Sequence, residues 1–179
     1  MLTANPAGRA LVVCESMFGN TRAVAEAIAD GLRSHVARVD VCTVAEAPSS
    51  LDGIDLVVVG GPTHAFSMSR TATREAATEQ GSTAPTDIGV REWLGRLARP
   101  STPTYGAAYT TRFRTWYAGR ATRAISNRLR RLGCPVLATF DATVTGVRGP
   151  LAEGELDRAR HWGAILATRL HIAAAAATS

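Results

Sequence analysis

The sequence predicts an α/β fold, a three-layer sandwich of helices around a five-stranded parallel sheet. Three features carry that expectation. Five short apolar or β-branched runs alternate with segments whose apolar residues recur at helical spacing. The strongest of those runs are continuously apolar rather than alternating, as strands covered by helices on both faces are. The chain has 179 residues, of which 46% are apolar, enough for one domain with a substantial core.

The elements follow in order. Residues 1–8 contain Asn5, Pro6 and Gly8 and read as a flexible start. Ala10–Cys14 is the first strand. After a turn at Ser16–Asn20, residues Val24, Ala25, Ile28, Ala29 and Leu32 form one helical face, with Asn20 or Thr21 as the cap. Val36–Val44 is the second strand, broken by Pro48. Asp55–Gly60 is the third, ended by Gly60-Gly61-Pro62, and with the preceding helix it makes a right-handed βαβ unit. Residues 65–90 form a long excursion with a helical turn at Arg70–Glu79, a length that suits the border of a site. Val90–Leu97 is helical and stops at Pro100. Tyr105–Thr111 is the fourth strand, and Trp116–Leu132 is a basic helix with Ile125, Leu129 and Leu132 on one face. Cys134–Phe140 is the fifth strand, with Pro135 near its first residue. A Gly-rich loop runs to Pro150, and Leu156, Ala159, Gly163, Leu166 and Leu170 mark the last helix. The domain is expected over residues 9–172, with 173–179 a second flexible end.

Charge and cysteine usage narrow the function classes. Lys is absent, so all 20 basic residues are Arg. The net charge of +5 conceals −4 over residues 1–90 and +9 over residues 91–179. Cys14, Cys42 and Cys134 are widely spaced and form neither a disulfide framework nor a metal knuckle; the strand cysteines Cys14 and Cys134 read as inert core thiols. The apolar run behind the first ten residues is too short for a secretory signal, and no apolar stretch approaches the roughly 18 residues of a membrane span. A cytoplasmic protein that does not engage a membrane is expected.

In a parallel α/β sheet ligands bind beyond the carboxyl ends of the strands, which directs attention to three loops. The first, Glu15-Ser16-Met17-Phe18-Gly19-Asn20-Thr21-Arg22, joins the first strand to the first helix. Short polar side chains, a turn glycine and a helix N-terminus together suit a phosphate, although an ordinary capped turn has a similar composition. Neither GxGxxG nor GxxxxGK is present. The second loop, Gly60-Gly61-Pro62-Thr63-His64-Ala65-Phe66-Ser67-Met68, allows close backbone approach to a planar ring, with Phe66 or Met68 to cover it. His64 is a candidate general acid, without a neighbouring acid or nucleophile in sequence. The third, Tyr109-Thr110-Thr111-Arg112-Phe113, supplies hydroxyl and backbone donors, with Tyr109 possible inside the strand. Strand order 2-1-3-4-5 brings all three together.

The pattern Glu15-Ser-Met-Phe-Gly-Asn-Thr21 resembles the phosphate loop of the flavodoxin family. Gly60-Gly-Pro-Thr-His-Ala-Phe66 is similar to that family's second flavin loop, and Tyr109-Thr-Thr-Arg112 to its third. The stretch from Gly149-Pro150-Leu151 through Trp162-Gly163 resembles the last helix entry of small actinobacterial-type members. The resemblance spans roughly residues 9–170 and implies the 2-1-3-4-5 order known for flavodoxin, with FMN as cofactor. It implies that Ser16, Met17, Phe18, Gly19, Asn20 and Thr21 hold the phosphate. Gly61, Pro62, Thr63, His64, Ala65 and Phe66 would flank the isoalloxazine, and Tyr109, Thr110, Thr111 and Arg112 would meet its pyrimidine edge or opposite side. Related sequences often carry an acid where Thr110 stands, and electron-carrying flavodoxins are usually acidic, whereas this chain has a sequence pI near 9.8.

Seven arginines, Arg112, Arg114, Arg120, Arg123, Arg128, Arg130 and Arg131, fall within twenty residues that contain no acid. They read as the solvated face of a helix or as a docking surface for an acidic redox partner or a phosphorylated cosubstrate. Trp116 and Tyr117 lie beside them, yet no nucleic-acid motif is present, and nucleic acid is not an expected partner. Trp162 reads as packing, and Asp141, placed after the fifth strand, as a loop residue or a ligand contact. The expected function is an FMN-binding electron-transfer protein serving a redox partner protein or a small-molecule acceptor. The alternatives are an NAD(P)H-dependent quinone or small-molecule oxidoreductase using FMN, and a flavin-free interaction domain on the same scaffold.

Overall fold

The computed structural model describes residues 8–63, 67–113 and 120–177. Five strands, β1 (Arg9–Cys14), β2 (Arg38–Thr43), β3 (Leu56–Pro62), β4 (Tyr105–Arg112) and β5 (Val136–Thr143), pair in parallel in the order β2-β1-β3-β4-β5. Helices α1 (Asn20–Arg33) and α5 (Glu155–Ala177) cover one face. Helices α3 (Val90–Arg96) and α4 (Ala121–Arg131) cover the other, and α2 (Thr71–Glu79) lies within the long excursion.

The strands form where the apolar runs predict them, and their side chains divide between two cores. On the α1/α5 side Ala10, Val12, Leu56, Val58, Ala107 and Tyr109 are fully buried. On the α3/α4 side Val13, Val57, Val59 and Ala108 meet Val90, Trp93, Ile125 and Leu129. The predicted face of α1 is buried throughout: Val24, Ala25, Ile28, Ala29 and Leu32 lose all solvent contact. The two helices of that layer approach closely because glycines face them; a Cβ on Gly31 would lie 2.0 Å from the Arg160 carbonyl oxygen, and one on Gly163 2.2 Å from that of Ile28. Trp162 packs on Phe140, ring centroids 5.4 Å apart.

Several boundaries differ from the sequence reading, each for a local reason. Strand β2 is shorter than Val36–Val44, since the Val36 N–H is taken by Leu32 in the turn after α1. Strand β3 runs two residues past Gly60, and Thr63 N–H continues the ladder onto Thr111. Strand β5 extends to Thr143, so Asp141 lies inside a strand rather than after one. Helix α4 begins at Ala121; Trp116 and Tyr117 lie outside the described residues. Leu156 does not belong to the buried stripe of α5 and is 41% exposed. Glu155 takes the position one turn before Ala159, buried and paired with Arg158 at 2.6 Å. Finally, α5 continues through Ala177, past the expected end at Ile172, and the Tyr105 hydroxyl donates to the Ala173 carbonyl at 2.9 Å.

Candidate functional site

The carboxyl ends of β1, β3 and β4 lie side by side, and the first loop sits at their head. Its helix does not start as predicted: neither Asn20 nor Thr21 is the cap. Gly19 is, at φ +88°, with no side chain capping the helix. Glycine enters that left-handed region without strain. A Cβ at Gly19 would meet nothing within 4 Å, and Gly19 lines a cleft at the start of α1. First-turn N–H groups have no acceptor within their own helix and carry the positive end of its dipole. The Ser16 hydroxyl oxygen accepts the Arg22 N–H at 3.3 Å and keeps its own proton to donate. Glu15, the nearest carboxylate in sequence, is turned inward. A cradle of N–H and hydroxyl donors with no outward acid suits a phosphate ester.

Threonine pairs join this loop to the other two. Thr21 Oγ1 and Thr111 Oγ1 are 2.8 Å apart and buried. Thr63 Oγ1 and Thr110 Oγ1 are 2.9 Å apart, and Thr110 also donates to the Gly61 carbonyl at 2.7 Å. Ala121 N–H, the first of α4, donates to Thr63 Oγ1 at 3.2 Å. Ser16, Met17, Phe18, Gly19, Asn20, Thr21, Gly61, Pro62, Thr63, Thr110 and Thr111 are therefore brought into one region. Met17, Thr21, Gly61, Thr110 and Thr111 are buried; Ser16, Phe18, Asn20, Pro62 and Thr63 are half-buried. His64, Ala65 and Phe66 lie outside the described residues.

Two expectations about the site change in the structure. Tyr109 is fully buried in the α1/α5 core and presents no surface to a ligand. The glycine before the second loop serves that ring: Gly60 and Tyr109 are register partners, and a Cβ on Gly60 would lie 2.0 Å from the tyrosine ring. Gly61, in contrast, has ordinary room for a Cβ. Arg112 stands at the end of β4 with its guanidinium 3.5 Å from Asp141. Asp141 also faces Arg120 at 3.4 Å and accepts from Thr122 at 3.4 Å, tying β4, β5 and the entry to α4.

Sequence reasoning missed the wall behind the first loop. Glu15, with its side chain 6% exposed, accepts the Val90 N–H at 2.8 Å and the Ser69 hydroxyl. Arg74, 1% exposed, donates to Ser69 at 2.9 Å and to the Thr86 carbonyl at 2.8 Å, and faces Glu92 at 3.1 Å and Glu15 at 3.9 Å. Glu92 in turn accepts the Gly89 N–H at 2.9 Å at the start of α3. This network pins the excursion of residues 67–90 to the base of the first loop. Its one visible signal was Glu92 three residues after Gly89, the spacing of a side chain that closes a helix N-terminus.

A cleft of about 390 Å3 opens on the β2 side of the first loop, between Ser16–Gly19, Thr43–Ala45, Thr83–Pro85 and Ile88. It shares only that loop with the threonine cluster. Burial pushes the thiols of Cys14 and Cys42 up to about 11, so both stay protonated near neutral pH. Among the described residues no helix is long and apolar enough to cross a membrane, and no group of His, Cys, Asp and Glu is arranged to hold a metal ion.

A family model described as "Flavodoxin" matches residues 12–162. No curated protein sequence matches the chain. Among solved structures, a flavodoxin from the domain Archaea is similar over 91% of this chain and 99% of its own, at 23% identity and a TM-score of 0.62. The flavodiiron protein from Giardia intestinalis is similar over 92% of this chain and 36% of its own, at 20% identity and a TM-score of 0.57. A flavodoxin, WrbA-like protein from Agrobacterium tumefaciens is similar over 92% and 98%, at 16% identity and a TM-score of 0.55. At these identities the likeness speaks for the fold.

Proposed function

We propose, from the premise that this chain belongs to the flavodoxin family, that it binds FMN at the head of β1, β3 and β4 and passes electrons to a redox partner. The observation that carries the reading is the amino terminus of α1. Gly19 starts that helix at φ +88° with room around its Cα, and Thr21 in the first turn is tied to Thr111 at the end of β4. When bound, FMN supplies electron transfer in steps of one or two electrons, and the protein supplies position and field.

Ser16, Gly19, Asn20 and Thr21 are the residues to hold the phosphate, Asn20 and Thr21 through their main-chain N–H groups, since the Asn20 amide donates to Arg148 and the Thr21 hydroxyl is paired with Thr111. Thr63 and Pro62 stand where the ring would lie, with His64, Ala65 and Phe66 assigned by family resemblance. Thr110 acts through Thr63 and Gly61, since its hydroxyl is spent on them. Arg112 is held by Asp141 at the far side. The positive half of the chain, with Arg123, Arg130 and Arg131 exposed on α4, favours an acidic partner.

The test is titration of the flavin-free protein with FMN and with riboflavin, followed by flavin fluorescence. One FMN per chain, bound tighter than riboflavin, is expected. An absence of flavin binding overturns the proposal. Steady oxidation of NAD(P)H by the loaded protein alone would replace the carrier reading with that of a reductase.

A further inference from the structure

We propose that Arg148, in the loop between β5 and α5, is the cation of the phosphate site and sets its preference for a phosphorylated flavin. The inference rests on the FMN reading above and names a residue outside the three strand-end loops.

The loop holds its shape by its own bonds. Val144 and Leu151 form an antiparallel bridge, and Thr145 donates to the Pro150 carbonyl through N–H at 2.9 Å and Oγ1 at 3.0 Å. The loop lies against the first loop because Asn20 Nδ2 donates to the Arg148 carbonyl at 3.0 Å. Gly149 permits that approach: at φ +97°, a Cβ there would stand 2.5 Å from the Asn20 amide. Thus Asn20 acts as a latch between the two loops, 128 residues apart in sequence.

The latch places a charge. The Arg148 guanidinium stands over the Phe18 ring, 5.8 Å from its centroid. Contact with a ring face leaves the N–H donors of guanidinium for another acceptor. Arg148 is exposed, and no carboxylate pairs with it among the described residues. Arg22, the cation of the first loop itself, is 3.6 Å from Glu26. Residues 16–23 and 144–152 contain these two arginines and no acid. A helix terminus offers only about half a unit of positive charge, less than a phosphate dianion carries. A full cation at the rim supplies much of the rest, and its fork matches phosphate oxygens.

The experiment titrates flavin-free wild type, Arg148→Gln and Arg148→Lys with FMN and riboflavin at several salt concentrations. Asn20 binds the main-chain carbonyl of Arg148, so these substitutions keep the latch. For Arg148→Gln we expect FMN affinity to fall roughly tenfold, riboflavin affinity to hold, and the salt dependence of FMN binding to flatten. Arg148→Lys, which keeps the charge, should retain most of the preference; a loss as large as that of Arg148→Gln overturns the charge argument. An undiminished preference in Arg148→Gln, or equal weakening of both flavins, also overturns it. Wild type that binds both flavins equally would instead refute the phosphate site itself, whatever Arg148 does.

Discussion

Replacing Arg74 by Met removes the cation from the wall behind the first loop while keeping most of the side-chain volume. Five groups depend on that guanidinium: Ser69 at 2.9 Å, the Thr86 carbonyl at 2.8 Å, Glu92 at 3.1 Å, Thr71 at 3.3 Å and Glu15 at 3.9 Å. Without it, the Glu15 carboxylate, 6% exposed, keeps only the Ser69 hydroxyl and the Val90 N–H. Glu92 is 26% exposed and recovers some hydration. Breaking one side of a buried ion pair costs about 3–5 kcal/mol. The near-isosteric Met keeps the cavity contribution small. At roughly 2–4 °C per kcal/mol for a chain of this size, Tm should fall by about 6–20 °C. Urea unfolding followed by circular dichroism measures the loss, seen as a lower midpoint with an unchanged slope. Adding Glu15→Gln to Arg74→Met should restore part of it, since the stranded charge is then gone, so the two changes should not be additive. A loss under about 1 kcal/mol, or strict additivity, would refute the view that this network is a coupled buried ion cluster.

Two further predictions concern the core. The Tyr109 hydroxyl is buried with no hydrogen-bond partner among the described residues, and such a group costs about 1–3 kcal/mol. Tyr109→Phe should therefore raise Tm by roughly 2–12 °C, and a fall in calorimetry would show that the hydroxyl contributes to stability. Burial raises the Cys14 and Cys42 thiols from 9.0 to about 11 and the Tyr109 phenol as well. The folded chain keeps protons that the unfolded chain releases, so this stability is complete below pH 9 and is lost as pH rises from 9 to about 11. Urea midpoints should decline across that window, less so in Cys14→Ala; a constant midpoint would contradict the shifts.

Much of this protein was legible in one dimension. The continuous apolar runs became the strands, the 3.6-residue spacing of Val24 to Leu32 became the buried face of α1, and the turn glycine after β1 became the left-handed start of that helix. These are local properties, since periodicity and turn chemistry report the average surroundings of one element at a time. Pairings between elements were decided only by the folded chain. Thr21 meets Thr111 across 90 residues and Thr63 meets Thr110 across 47 because sheet register aligns the ends of β3 and β4 beside α1. Gly60 looked like a ring-binding glycine and proved to accommodate Tyr109, its register partner. Arg74 sat among polar residues that predict exposure, yet three carbonyl and carboxylate groups from separate segments, Glu15, Thr86 and Glu92, converge to bury it. Leu156 was apolar at nearly the right spacing, but Glu155, one turn before Ala159, takes the buried position at the start of α5. Sequence pattern thus settled which segments are strands, helices and loops, because those depend on neighbours along the chain. Tertiary structure settled which polar groups satisfy one another, because a buried donor or charge takes its partner from whatever segment the packing brings within reach.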